Sequence, residues 1–191
     1  MVKVLGKRFY SRDPADVASD LLGKILIRVI EDKSLESIIV ETEAYYGIED
    51  PASRAYHGRK TYNDVMWGEP GHLFVYNVHK YWMLNFVSHA EGGIGGVLIR
   101  ALEPVKGIEA MLSNRHVEKI TELTNGPGKL TQALAVDKSL NGLPATNKRD
   151  LIHVRGIDND PQIVTSHRVG VTRDLPQKLR FYIKNNSFVS K

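Results

Sequence analysis

The chain has 191 residues, enough for one domain with its own hydrophobic core. It contains no cysteine, which excludes disulfides, thiolate catalysis and cysteine-based zinc or iron–sulfur sites, and which fits an intracellular protein. Lys and Arg number 26 against 22 Asp and Glu, a net charge of +4, which favours a polyanionic partner although no Lys/Arg block of the disordered-tail kind is present.

Met1 to Tyr10 is basic but lacks the apolar stretch of a signal peptide, and no apolar run approaches the roughly 20 residues of a membrane helix. A helix is predicted from Asp13 to Leu22. Asp13 caps it, Pro14 suits its first position, Gly23 its end, and Val17, Leu21 and Leu22 its apolar side. Strands at Lys24–Ile30 and Leu35–Ala44, around a polar turn at Glu31–Ser34, form a hairpin. Tyr46 to Trp67 is long, polar and without period, as loops that are functional or disordered tend to be. A second hairpin follows, His72–Val78 and Tyr81–His89, with a tight tip at His79 and Lys80. Gly92, Gly93, Gly95 and Gly96 lead into a strand at Val97–Ala101. Pro104 is expected to open a helix reaching about Asn114, and another starts near Lys129 after Gly126-Pro127-Gly128. Short strands at Leu151–Arg155, Gln162–Thr165 and Leu179–Ile183 complete the chain. The layout is α+β: a single compact domain, residues 1–191, with a curved, mostly antiparallel sheet, packed helices and a protruding β-hairpin. The βαβ alternation of a Rossmann sheet is absent.

Four segments carry residues capable of chemistry. In Ile38-Ile39-Val40-Glu41-Thr42-Glu43-Ala44-Tyr45-Tyr46, an apolar strand runs into two carboxylates and two tyrosines. Glu41, Glu43 and Tyr45 share one face of a strand. Burial there raises a carboxylate's pKa and makes it a better base, and the rings beside it form a slot for a flat ligand. The alternative is a solvated strand end. The hairpin from Phe74 to Asn85 is rich in aromatics with a basic tip. Such rings stack on bases, and a tip residue can wedge into a duplex; equally, Phe74, Tyr81 and Trp82 can be core. Asn85, among apolar neighbours, is either a structural hydrogen-bonder or a reader of a ligand edge. Arg100 lies inside the apolar strand Leu98-Ile99-Arg100-Ala101-Leu102 and needs a partner. Glu43 is the natural one, as a water-holding pair or as a plain ion pair. Finally, Asn125-Gly126-Pro127-Gly128-Lys129 offers free amides and a lysine that suit a phosphate.

Several chemistries lack their signatures. The Walker spacing, G-x-G-x-x-G and H-E-x-x-H do not occur, and the seven histidines show no ligand spacing. Nucleotide cofactors and metal are therefore not expected.

Taken together, the segments resemble the alkyladenine (3-methyladenine) DNA glycosylase family with the antiparallel α+β fold, over nearly the whole chain. The resemblance rests on Leu21-Leu22-Gly23-Lys24, on Glu41 to Tyr45, on Asp50 with Ala52-Ser53, on Gly71 to Tyr76, and on Leu98 to Pro104. It continues through Asn125 to Leu134, Arg168-Val169-Gly170 and Arg180-Phe181-Tyr182. It implies that Glu43 is the general base activating the water that attacks C1′, and that Arg100 helps hold that water. Tyr45 and Tyr76 sandwich a flipped base, Asn85 screens the purine edge, and Ala52 lies where the family's backbone carbonyl meets the base. The implied activity is monofunctional hydrolytic excision of alkylated or deaminated purines from double-stranded DNA. It is carried out by a monomer without cofactor, in the cytoplasm or nucleoid of a prokaryote or the nucleus of a eukaryote.

Two positions depart from the family pattern. The family commonly has a histidine after Asp-x-Ala-Ser, where this chain has Arg54, with His57 nearest. The hairpin tip is one residue shorter, which makes His79 the candidate wedge and Lys80 a phosphate contact, alongside Lys129. These departures keep open the reading of a damaged-DNA-binding relative without catalysis; a small-molecule hydrolase using Glu43 as base, on free nucleosides for example, is a second alternative.

Overall fold

The run from Leu35 to Ala44 becomes the centre of the sheet. The computed structural model describes residues 3–190, and in it β1 (Ile25–Ile30) and β2 (Lys33–Tyr45) form the first hairpin. Ile30 pairs with Lys33, so the turn narrows to two residues, with Glu31 at φ 53°. Two-residue hairpin turns require such positive φ values to match the twist of the strands.

β3 (Leu73–Val78) and β4 (Tyr81–Val87) form the second hairpin, and β5 (Gly96–Lys106) joins β4 to the far edge of β2. β6 (Ile152–Arg155) extends the sheet beyond β1. β7 (Ile163–Ser166) pairs with β8 (Arg180–Ile183), which joins β2. The order is β3-β4-β5-β2-β1-β6, with β8 beside β2, and every pairing is antiparallel. One edge of β2 changes hands along its length. Its first half pairs with β1, and Glu41 to Glu43 pair with β8. Register breaks around Glu41 in the β2–β5 ladder bend the sheet where that exchange occurs. The carboxylate end of β2 is thereby enclosed between β5 and β8.

Helices cover the sheet: α1 (Lys7–Tyr10), α2 (Pro14–Asp20), α3 (Ile108–Asn114) and α4 (Pro127–Ala133). The side chain of Asp13 caps α2 by accepting from the Ala15 N–H at 2.8 Å. Val17, Ala18, Leu21 and Leu22 pack into the main core with Ile39, Ala44, Val97 and Ile99. Each large apolar side chain so buried contributes about 1.5–3 kcal/mol. Thr42 ties the layers together, its hydroxyl donating to the Ala18 carbonyl at 2.7 Å. Thr131 of α4 does the same with Trp82 of β4 at 2.8 Å. Phe74 is core as one reading of the hairpin held, whereas Tyr81 and Trp82 are half-buried.

Two expectations about elements change, and one further element appears. Pro104 does not open a helix: β5 continues through it to Lys106, and Gly107, at φ 76°, turns the chain into α3. β4 accompanies β5 only as far as Leu98, and Pro104 sits opposite Ser37 beside a register break. A proline is tolerated at such a one-sided, irregular position. α4 begins at Pro127, two residues before Lys129, because proline suits the first turn. The one-turn α1, unsignalled by periodicity, buries Tyr10, whose ring stacks on Phe86 with centroids 5.4 Å apart.

The long polar segment after Tyr45 is ordered. Ala55 and Met66 form a second apolar cluster with Phe74 and Val87, and a short 3-10 turn spans Asp64–Trp67. Asn63, fully buried, replaces regular structure with side-chain bonds. Its Nδ2 donates to the carbonyls of Arg54 (2.7 Å) and Gly58 (3.1 Å), and its Oδ1 accepts from the Lys60 N–H at 2.6 Å. This segment becomes one wall of a cavity. Among the described residues, no helix is long and apolar enough to cross a membrane.

Candidate active site

Glu43 sits on β2 opposite Leu98 of β5 and Arg180 of β8, and its side chain is fully buried. Both carboxylate oxygens are engaged. Oε1 accepts from the main-chain N–H of Val169 at 2.7 Å. Oε2 accepts from the Tyr45 hydroxyl at 2.8 Å and from Nη1 of Arg100 at 3.2 Å. Desolvation pushes the Glu43 pKa up, and it outweighs the opposing pull of Arg100, the Val169 N–H and the Tyr45 hydroxyl. Burial, followed by the charge of Glu43, raises the phenol of Tyr45 well above its ordinary value. Tyr45 therefore remains a donor to Glu43.

Arg100 holds a second carboxylate as well. Its Nε donates to Oε1 of Glu41 at 2.9 Å, and that oxygen also accepts from Nε of Arg180 (2.7 Å) and the Ser190 hydroxyl (2.8 Å). The main-chain N–H of Ser190 bonds Oε2 of Glu41 at 2.6 Å. Four donors thus saturate Glu41 and fix the guanidinium of Arg100 between two carboxylates. Glu41 is structural, and Glu43 is the one whose surroundings open towards a cavity.

That cavity, about 510 Å³ in volume, is lined by Tyr45, Ala52, Arg54, His57, Tyr76, Arg100 and Val169, among others. All three groups bonded to Glu43 line it, so the carboxylate lies directly beneath its floor. A narrow slot of about 20 Å³ continues from it, walled by Tyr45, Ala52, Arg54, Phe74, Tyr76 and Asn85. Asn85 is buried, and its Nδ2 donates to the Phe74 carbonyl at 3.0 Å. The structure therefore brings Glu43, Arg100, Tyr45, Tyr76, Ala52, Arg54, His57 and Asn85 to one place.

The remaining singled-out residues lie around it. Val78 lines the cavity, so the His79–Lys80 tip stands at its rim, with His79 at φ 54° and both side chains exposed. Lys129 lines a neighbouring cleft of about 580 Å³ with Lys119, Asn125 and Ser190. Arg100 and Pro127 are shared between this cleft and the first cavity. Nζ of Lys129 donates to Oδ1 of Asn125 at 2.8 Å. Among the described residues, no three His, Asp or Glu side chains are grouped as metal ligands.

Sequence reading gave no role to the residues that assemble the cavity's far wall. Arg168, its side chain fully buried, grips both oxygens of Asp50 (2.7 and 2.8 Å), bonds Oδ1 of Asp174 (2.6 Å) and donates to the Ala44 carbonyl at 3.0 Å. Its guanidinium also stands 4.5 Å from the centre of the Tyr45 ring. It ties the long loop, the end of β2 and its own loop together, and so delivers the Val169 N–H to Glu43. The Arg168-Val169-Gly170 triplet was legible only as part of the family resemblance; nothing in its local pattern signals a partner more than 100 residues away.

Comparison with known proteins identifies the family. A sequence model of the methylpurine-DNA glycosylase (MPG) family matches residues 8–187. A protein of Carboxydothermus hydrogenoformans is 44% identical, covering 98% of this chain and 99% of its own. One from Clostridium perfringens is 42% identical, covering 98% of each chain. One from Aeropyrum pernix is 38% identical over 100% of this chain and 95% of its own. All three bear the name "Putative 3-methyladenine DNA glycosylase". With this match along almost its entire length, the chain belongs to the methylpurine-DNA glycosylase family and is a DNA glycosylase.

Proposed function

We propose that the protein extrudes a damaged purine, alkylated or deaminated, from duplex DNA and hydrolyses its bond to the sugar. The observation that carries this reading is Glu43: a fully buried carboxylate with a raised pKa, held beneath the floor of a cavity walled by Tyr45 and Tyr76. A base of that kind suits proton abstraction from water near neutral pH.

In the proposed step, water attacks C1′ and gives a proton to Glu43. The C1′–N bond breaks with its electron pair passing to the purine, leaving a hydroxyl on C1′ of an abasic site. A cationic alkylated purine leaves as the neutral base, and a neutral deaminated one leaves as an anion that takes up the proton from Glu43 or solvent. Arg100 orients Glu43 and stabilises its charge. The two tyrosines stack on the extruded ring, since a base must leave the helix before an enzyme can reach its glycosidic bond. The group at the cavity floor is a carboxylate rather than an amine, which supports hydrolysis without strand cleavage. Cation–π attraction to an alkylated ring contributes about 0.5–2 kcal/mol, too little to reject normal purines alone. Easier extrusion of poorly paired lesions and crowding at Asn85 supply the rest.

The test is to incubate the protein with duplexes bearing 7-methylguanine or hypoxanthine and to assay free base and strand breaks before and after hot alkali. Free base with breaks only after alkali is the expected result. Binding without release would favour a damaged-DNA-binding relative. Release from free nucleosides as fast as from duplex would favour a small-molecule hydrolase.

A further inference from the structure

One guanidinium on the cavity wall has no carboxylate. Arg100 is matched by Glu41 and Glu43, and Arg168 by Asp50 and Asp174. Arg54 lines both the cavity and its slot, and among the described residues it has no carboxylate within salt-bridge distance. Its guanidinium carbon stands 4.8 Å from the centre of the Tyr76 ring. Phe74 stacks on the same ring with centroids 4.8 Å apart, so Tyr76 carries a ring and a guanidinium at once. The backbone of Arg54 is fixed by Asn63, whose Nδ2 donates to its carbonyl at 2.7 Å, while its side chain is exposed. The side chain leans from that fixed backbone onto Tyr76, whose hydroxyl it also engages.

The slot beside it, about 20 Å³, admits a single water and not a purine. A base that enters from the wider cavity and stacks on Tyr76 therefore meets the guanidinium of Arg54 on that ring. In the closed state Arg54 occupies the place a cationic ring would take. With its backbone held by Asn63 at the cavity wall, a displaced Arg54 side chain is still long enough to reach the edge of a bound base.

A guanidinium carries only donors, arranged as a rigid fork. That fork matches the paired O6 and N7 acceptors of a 6-oxopurine. A purine alkylated at N7 has lost one acceptor and carries a positive charge. A purine alkylated at N3 is likewise cationic and, if derived from adenine, presents an amino donor at position 6. Both meet the fork with like charge. A neutral purine, in contrast, gathers negative charge as it departs, and a positive group aimed at that charge lowers the barrier.

We propose that Arg54 determines specificity in this cavity, favouring neutral 6-oxopurines such as deaminated adenine over cationic alkylated purines. The inference rests on the glycosylase reading above. Guanine shares the O6/N7 edge, and its 2-amino group, crowded by Asn85, separates it from deaminated adenine.

The test uses two duplexes identical except for one residue, hypoxanthine or 7-methylguanine, and single-turnover rate constants for wild type, Arg54→Ala and Arg54→Gln. The quantity read is the ratio of the hypoxanthine rate to the 7-methylguanine rate. It is expected to fall at least about tenfold in both variants, the size of one bidentate base contact. The hypoxanthine rate should drop while the 7-methylguanine rate holds or rises. A partly unfolded preparation scales both rates alike and leaves the ratio untouched. Release of both bases with an unchanged ratio in both variants overturns the role of Arg54 and leaves the glycosylase reading standing. Release of neither base by wild type overturns both.

Discussion

The main-chain N–H of Val169 donates to Oε1 of Glu43 at 2.7 Å, joining residues 126 apart in the chain. Tyr45 and Arg100 hold the other oxygen. Three elements therefore converge on one carboxylate: β2 supplies Glu43 and Tyr45, β5 supplies Arg100, and the loop before β8 supplies Val169. Arg168 next to Val169, clamped to Asp50, keeps that loop in place.

The raised pKa of Glu43 fixes the acid side of the pH profile. A general base works as the carboxylate, so a raised pKa moves the acid limb to higher pH. The single-turnover rate is expected to fall with acid at a pH above the ordinary glutamate value of about 4.3. Arg100 pulls the Glu43 pKa down. Arg100→Gln should therefore shift the limb further upward, besides slowing the reaction. A limb at or below the ordinary value contradicts this.

Arg168 is expected to be the most costly single truncation near the site. Its bond with Asp50 is buried on both sides, and its loss strands a carboxylate. Arg168→Ala should lower stability by about 3–5 kcal/mol, measured by urea unfolding. Burial pushes the Asp50 pKa up, but the bonds from Arg168 and from the Tyr46 and Ala52 N–H groups outweigh it, so the net value is lowered. The stabilisation is thus present above the unfolded aspartate pKa and lost as pH falls through the lowered folded value. The gap between wild type and Arg168→Ala should narrow in acid.

Tyr76 is expected to act through its ring. Tyr76→Ala should weaken productive binding of the extruded base by about 1–3 kcal/mol, the range for one base–aromatic stack. Tyr76→Phe should stay near wild type. The measurement is kcat/KM on a hypoxanthine duplex, and equal losses in both variants would assign the effect to the hydroxyl instead.

Much of this was legible in the chain. The Glu41–Tyr45 run and the isolated Arg100 pointed to each other because a strand places alternate residues on one face and an apolar strand cannot bury a lone arginine. What could not be read was the second carboxylate on Arg100: Glu41 shares a strand face with Glu43, but Ser190 and Arg180, which saturate it, lie 149 and 139 residues further along the chain. Arg168 and Asp50 lie 118 residues apart, and no periodicity links them. Pro104 misled because a proline after an apolar run is a good helix start, and only the register break beside it makes it a strand residue. Tyr46 to Trp67 read as a loop, and its order depends on the buried amide of Asn63, which has no sequence signature.

Phosphate contacts make binding salt-dependent. Lys80, exposed at the hairpin tip, and Lys129, on the cleft beside Arg100, are the expected contacts. Each alanine substitution should reduce the slope of log affinity against log salt by about one, with little change in lesion preference. An unchanged slope for Lys80→Ala would place the tip away from the duplex.

The most direct measurement is the single-turnover rate of base release by Glu43→Gln beside wild type, on one lesion-bearing duplex, with DNA affinity measured in parallel. A glutamine keeps the shape of the side chain and removes its basicity. The rate is expected to fall by about 10²–10⁴-fold while binding is retained. A variant that releases base at the wild-type rate would contradict the assignment of Glu43 as the base that activates water.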